Sequence, residues 1–187
     1  MKRYALLIID MQNDFVLPGA PLRVAQAGAV LLKIRNVLDT FRDRKLPVFH
    51  IVRVHRPDGS DVEIFRKDLF KKSPFAVAGT KGAAVVDELR PQPGEYVIEK
   101  VRMSAFLGTE LDIMLRTLGI TDLVVTGIQT PNCIRTTVFD AMAYNYPVIL
   151  LSDAVGAKND EVHTANVTDM AAIGVRVMAA HDLISIL

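Results

Sequence analysis

The stretch DLVVTGIQTPNCIRTT, residues 122–137, joins two kinds of segment across one turn. Its first half, DLVVTG (122–127), is a short β-branched apolar run that reads as a buried strand. Its middle is turn chemistry. Gly127 lets the backbone turn sharply, Thr130 suits a helix N-cap, and Pro131 fits the first helical position. A helix over 132–145 then puts Ile134, Val138, Ala141, Met142 and Asn145 on one face. Strand, turn and helix in succession are the building unit of an α/β layer fold.

The same alternation runs through the rest of the chain. Continuous, non-alternating apolar runs at 4–10, 47–54, 95–100, 147–153 and 175–180 join 122–127 as six strands. Such runs belong to strands covered on both faces, hence to a parallel sheet. Helical periods lie at 23–44, 109–120, 132–145 and 160–173. The second opens at Thr109 and ends at Gly119. One connection breaks the rhythm. Residues 55–82, rich in Gly, Pro, Asp, Ser and Lys, are long enough to form a rim or lid over a site, or a plain surface insertion. A chain of 187 residues with this pattern predicts a single domain over 1–187.

Composition narrows the class of partner. Half the residues are hydrophobic, about a quarter are charged and the net charge is +1, so no global field draws nucleic acid. No apolar run approaches the roughly 20 residues of a membrane span. The N-terminal MKRYALLIID resembles a short signal peptide, but Asp10 interrupts the run and no small-residue cleavage site follows, so it reads as a first strand. With a single cysteine nothing argues for secretion, and a cytoplasmic location is expected.

Reactive side chains collect at one place. Asp10 closes the first strand, Lys100 closes the third, and Cys133 follows the fourth across its turn. The carboxyl edge of a parallel sheet is where such folds bind ligands. A cysteine at large is commonly a buried filler. In the first turn of a helix, however, unpaired N–H groups and the positive end of the helix dipole favour a thiolate, and the same N–H groups hold a developing oxyanion. With Asp10 and Lys100 beside it, Cys133 reads as a nucleophile.

LLIIDMQNDF (6–15), VIEKVRMSAFLGTELDIML (97–115), LVVTGIQTPNCIRTTVFDAMAYNYPVILLSDA (123–154) and the helix from Glu161 to Ile173 together resemble the isochorismatase-like cysteine hydrolase superfamily. That group includes nicotinamidases, N-carbamoylsarcosine amidases, ureidoacrylate amidohydrolases and isochorismatases. The resemblance implies a three-layer Rossmann-like fold with a six-stranded, mainly parallel sheet in the order 3-2-1-4-5-6. It implies a catalytic set of Asp10, Lys100 and Cys133, a cis peptide at Ile128–Gln129, and an oxyanion hole from the Gln129 and Cys133 N–H groups. It also implies a homo-oligomer, dimer or tetramer. The expected chemistry is cleavage of a C–N amide or ureido bond through a Cys133 thioester. Vinyl-ether hydrolysis of the isochorismatase type and a non-catalytic binding member are the alternatives.

Nicotinamidases of this group bind a divalent metal through an Asp-x-His pattern with a further histidine. Here FHIVRVHRPDGSD (49–61) has no Asp-x-His, so no metal and no cofactor are expected. His50 reads as a packed strand residue and His163 as structural. His55, just past the strand, reads as pocket-lining. The expected substrate-binding residues are Phe15, His55, Arg102, Phe106 and Ile128. Arginines near this edge suit a carboxylate on a small-molecule substrate. Whether Arg53, Arg56 and Arg135 face the pocket stays open at this level.

Overall fold

A computed structural model describes residues 2–187. Its six strands are β1 (Tyr4–Ile9), β2 (Val48–Arg53), β3 (Tyr96–Lys100), β4 (Asp122–Ile128), β5 (Val148–Gly156) and β6 (Arg176–Met178). They form one sheet in the order β3-β2-β1-β4-β5-β6, and every pairing is parallel. The helices are α1 (Asn13–Val16), α2 (Ala27–Asp43), α3 (Lys67–Lys72), α4 (Leu111–Thr117), α5 (Arg135–Ala143), α6 (Asp160–Ala172) and α7 (Ala180–Ile186). No helix among the described residues is long and apolar enough to cross a membrane.

Two cores explain why the strand runs do not alternate. Leu6 and Ile8 of β1 pack with α2 residues such as Ile34, Leu38 and Phe41 on one face of the sheet. Ala5, Leu7 and Ile9 pack with Leu115, Val138 and Met170 of α4, α5 and α6 on the other. The expectation of two covered faces suits the central strands β1, β2 and β4. It does not hold at the edge, where β3 exposes Val97 and Glu99. An edge strand has one neighbour, and no helix covers that flank.

Several boundaries differ from the sequence reading: α4 spans Leu111–Thr117 rather than 109–120, β5 runs on to Gly156, and three others have a visible cause. Helix α2 begins at Ala27, not 23, because the preceding segment is held as a loop by a 2.8 Å bond from the Val24 N–H to the Phe15 carbonyl. Helix α5 begins at Arg135. Before it, Thr130–Ile134 form one π-turn, with Gln129 rather than Thr130 at the cap position. The Thr130 hydroxyl meets His163 Nδ1 of α6 at 3.1 Å instead of capping its own helix. The last apolar run stops at Met178, and α7 follows, its first N–H bonded to the Asp153 carboxylate at 2.7 Å. Seven residues at the chain end were too few for a helical period to stand out.

Residues 55–82 are built into the body of the protein. The His55 N–H donates to the Ala76 carbonyl, and the His55 carbonyl accepts from the Ala78 N–H. Phe70 and Phe75 stand edge-on to the His55 ring and to each other. The Ala76 N–H donates to the Asp14 carboxylate at 2.7 Å.

The tightest backbone approach lies between β1 and β4. Gly127 pairs with Ile9 and has φ +112°, and a Cβ there would sit 2.1 Å from the Ile9 carbonyl oxygen. Only glycine fits both the torsion and the space. Gly127→Ala is therefore expected to lose at least about 2 kcal/mol of stability, read as a lowered urea midpoint. An unchanged midpoint would show that β1 and β4 separate without cost.

Candidate active site

Three strand ends and one connection bring four charged groups together in a buried place. Asp10 leaves β1 with φ +54°, a left-handed conformation that swings its side chain out of the ladder. Its N–H still donates to the Ile51 carbonyl at 2.9 Å. Lys100, the last residue of β3, reaches across β2 to Asp10, with Nζ 2.9 Å from Oδ2. A second Nζ bond goes to the Arg102 carbonyl at 3.2 Å. Asp10 Oδ1 is buried and has no hydrogen-bond partner among the described residues.

Arg53 ends β2 in register with Lys100 and is almost wholly buried. Its backbone is fixed by the Gln12 side chain, which accepts from the Arg53 N–H and donates to the Arg53 carbonyl, both at 2.7 Å. Its guanidinium is divided. Nη1 donates to Glu63 at 2.9 Å and to the Val101 carbonyl at 3.3 Å, while Nη2 lies 3.8 Å from Cys133 Sγ. Glu63 is supplied by the 55–82 connection.

Cys133 sits in the π-turn that bridges β4 and α5, just beyond the cis Ile128–Gln129 peptide. Burial pushes its thiol pKa above the ordinary value, and the Asp10 carboxylate opposite adds to the rise. The Lys100 and Arg53 cations pull the other way without reversing it. The sequence reading has the helix start favouring a thiolate, whereas burial of the sulfur works against that anion. Burial likewise works against the charge on Arg53, but Cys133, Asp10 and Glu63 around it outweigh burial and raise its pKa.

A cavity of about 440 Å³ opens onto these groups. Asp10, Arg53, Ile128, Gln129, Asn132 and Cys133 form its floor, and Phe15, the Ala20–Val24 loop, Arg66 and Leu69 line its walls. Of the expected binding residues, Phe15 and Ile128 lie there. Three do not. His55 is sealed beneath Phe70 and Phe75, because the chain past β2 folds back beside Val77. Arg102 turns away to donate to the Asp61 carbonyl at 2.7 Å and lines a different groove. Phe106 packs against the rings of Tyr144 and Tyr146. Of the three open arginines, Arg53 faces the cavity. Arg56 is exposed, and Arg135 pairs with Asp169 over the Phe139 ring.

The cavity residues that sequence reasoning missed are Arg23, Arg66, Leu69 and the apolar side chains of the 20–24 loop. Gln12 was missed as a support. No motif or period marks the loop residues. Gln12 could have been suspected from its place two residues past Asp10.

The histidines do not fit a metal centre. His50 Nε2 bonds Glu95 at 2.8 Å inside the sheet, and His55 is closed off as described. No group of three or more His, Cys, Asp or Glu stands in ligating proximity among the described residues.

Comparison with known proteins agrees with this architecture. The family model for the isochorismatase domain matches residues 4–182. A probable inactive nicotinamidase of Arabidopsis thaliana is 43% identical over 185 residues, covering 97% of this chain and 94% of that protein. Maleamate amidohydrolase of Pseudomonas putida is 31% identical, covering 90% of this chain and 79% of that protein. The crystal structure of an isochorismatase family protein from Desulfovibrio vulgaris superposes with a TM-score of 0.96 at 45% identity, covering 100% of this chain and 98% of that one.

The Arg53–Glu63 pair makes a prediction about stability. Burial opposes the Glu63 charge, but the Arg53 guanidinium outweighs it and holds the carboxyl below its ordinary range. A carboxylate with a lowered pKa stabilises the fold above its unfolded value near 4.3, and that contribution fades as pH falls through the lower folded value. Glu63→Gln is expected to cost about 3 kcal/mol at pH 7 in urea unfolding. The difference from the unmodified chain should shrink as pH falls below about 4. A pH-independent difference would mean that the charge is not what holds the pair.

Proposed function

The chain belongs to the isochorismatase family, and from that membership we propose that it hydrolyses a small carboxylated amide or ureido compound through a thioester on Cys133. The observation that carries the reading is that Asp10, paired with Lys100, lines one cavity together with Cys133, with Asp10 Oδ1 left unpartnered among the described residues. Lys100 engages Oδ2 and leaves Oδ1 as the free acceptor. Oδ1 takes the thiol proton, and the sulfur attacks the substrate carbonyl. The Gln129 and Cys133 N–H groups hold the oxyanion. The protonated Asp10 then gives its proton to the departing ammonia or amine. In the second half Asp10 activates water, which attacks the thioester, and the acid leaves as the Cys133 thiol is restored.

The substrate class follows from the charge of the cavity. Arg23, Arg53 and Arg66 line it, and its one lining carboxylate is Asp10, already paired with Lys100. A carboxylate on the substrate answers the wall cations, and Phe15, Leu22 and Val24 suit a short apolar backbone. The reading includes no cofactor, a cytoplasmic location and a homo-dimer or tetramer. The name of the Arabidopsis thaliana relative favours a second reading, a member that binds without turning over.

Ammonia release across small carboxylated amides separates the two. Turnover by the native chain and loss by about 10³-fold or more in both Cys133→Ala and Cys133→Ser is expected. An acyl adduct on Cys133 should appear by intact mass. Full activity in either variant rejects the nucleophile, and no turnover with any amide favours the binding reading. Arg66→Ala is expected to raise KM about tenfold for a carboxylated amide while leaving that for its neutral analogue unchanged. Equal effects on both substrates would remove the wall arginine from carboxylate recognition.

A further inference from the structure

Two cations serve the cavity floor, Arg53 in its lining and Lys100 behind Asp10, and they do different work. Lys100 donates to Asp10 and to the Arg102 carbonyl, so its bonds are made to oxygen. A cation paired with the carboxylate opposes completion of proton transfer to it. Something must favour the sulfur anion in turn. Arg53 is the cation that meets the sulfur, with Nη2 at 3.8 Å. Nothing about its place is accidental in the packing. The Gln12 amide clamps its backbone from both sides, and Glu63 and the Val101 carbonyl hold Nη1. That leaves Nη2 facing Cys133 at the cavity floor. A guanidinium carries its donors in a rigid fork, so fixing one nitrogen fixes the other.

We propose that Arg53 is a further catalytic residue, the counterion of the Cys133 thiolate. The inference rests on the reading of Cys133 as the nucleophile. In the step concerned, the Cys133 S–H bond breaks and its proton forms a bond to Asp10 Oδ1. The electron pair stays on sulfur, facing Arg53 Nη2. Charge has then moved from Asp10, beside Lys100, to Cys133, beside Arg53. Each cation thus stabilises one end of the proton transfer. Glu63 is a positioning residue, since it acts on the sulfur through Arg53. The charged groups around the sulfur are Asp10 from β1, Arg53 from β2 and Lys100 from β3. Arg23 and Arg66 stand farther out on the cavity wall. Burial raises the Cys133 pKa while Lys100 and Arg53 lower it, so removal of one cation acts in the same direction as burial.

The test is alkylation of Cys133 in the free protein, followed by intact mass against pH. It needs no substrate, so its failure leaves the hydrolase reading standing, and failure to find a substrate leaves the alkylation result standing. Arg53→Gln combined with Glu63→Gln removes both charges of the buried pair, so no charge is left unpaired where it stood. Glu63→Gln alone is the control. The midpoint of the double variant is expected about one pH unit or more above that of the control, with alkylation at pH 7 about tenfold slower. The rate ratio of anionic iodoacetate to neutral iodoacetamide should fall several-fold in the double variant. Equal midpoints and ratios in the two variants would overturn the proposal and leave Arg53 a substrate or packing residue. Should the double variant not fold, the control decides. Removing the Glu63 countercharge is expected to lower the thiol midpoint below that of the native chain, and an unchanged midpoint overturns the proposal.

Discussion

The arrangement depends on charge balance in a place that water scarcely reaches. Asp10 and Glu63 bring two negative charges to the carboxyl edge of the sheet, and Lys100 and Arg53 bring two positive ones. All four are largely buried. Any one of them alone there would be strongly unfavourable, because an unpaired ion in a low-dielectric surrounding has lost its hydration without compensation. Together they are tolerable, and the parallel sheet is what assembles them. It ends three neighbouring strands at the same level, so residues far apart in sequence arrive with their side chains within bonding distance. The fourth comes from the long connection, and this is the physical reason that the connection is packed down rather than left loose.

How far the sequence disclosed this arrangement depended on whether a residue's destination was local. Asp10 and Lys100 each sit at the end of an apolar run and Cys133 follows one across a short turn, so the runs located them at the sheet edge. Arg53 sits at the end of such a run too, yet its direction hinged on Glu63, ten residues on in a segment without periodicity. His55 was misplaced for a related reason. Its position past a strand end suggested the cavity, but a backbone pairing with the segment around Val77 turned it under two phenylalanines. Arg102 and Phe106 lie close in sequence to Lys100, but nearness along the chain fixed nothing once β3 had ended. Arg102 found a carbonyl and Phe106 found two tyrosines. The sheet order was legible because it came from resemblance over most of the chain, whereas the starts of α2 and α5 were set by contacts with other elements.

The turn before Cys133 illustrates how such contacts override local preference. Thr130 has the chemistry of a cap, but its hydroxyl is drawn to His163 on α6. The consequence is a π-turn rather than a regular first turn, and π-turns are commonly found where a helix serves a functional site. Cys133 thereby occupies a segment braced by β4 behind it and α6 beside it. The same bracing buries the sulfur, and that burial works against its ionisation.

The cavity is made from two kinds of backbone. Its floor comes from strand tips and the turn after β4, fixed by the sheet and by Gly127 against Ile9. Its walls come from the 20–24 loop and from the 55–82 connection, which hang on a few backbone bonds and aromatic contacts. Substitutions at Arg23, Arg66 or Leu69 therefore alter the walls without replacing the side chains that hold Asp10 and Arg53. Selectivity can drift over evolutionary time while reactivity is conserved, a division of labour that lets one scaffold give rise to many small-molecule specificities.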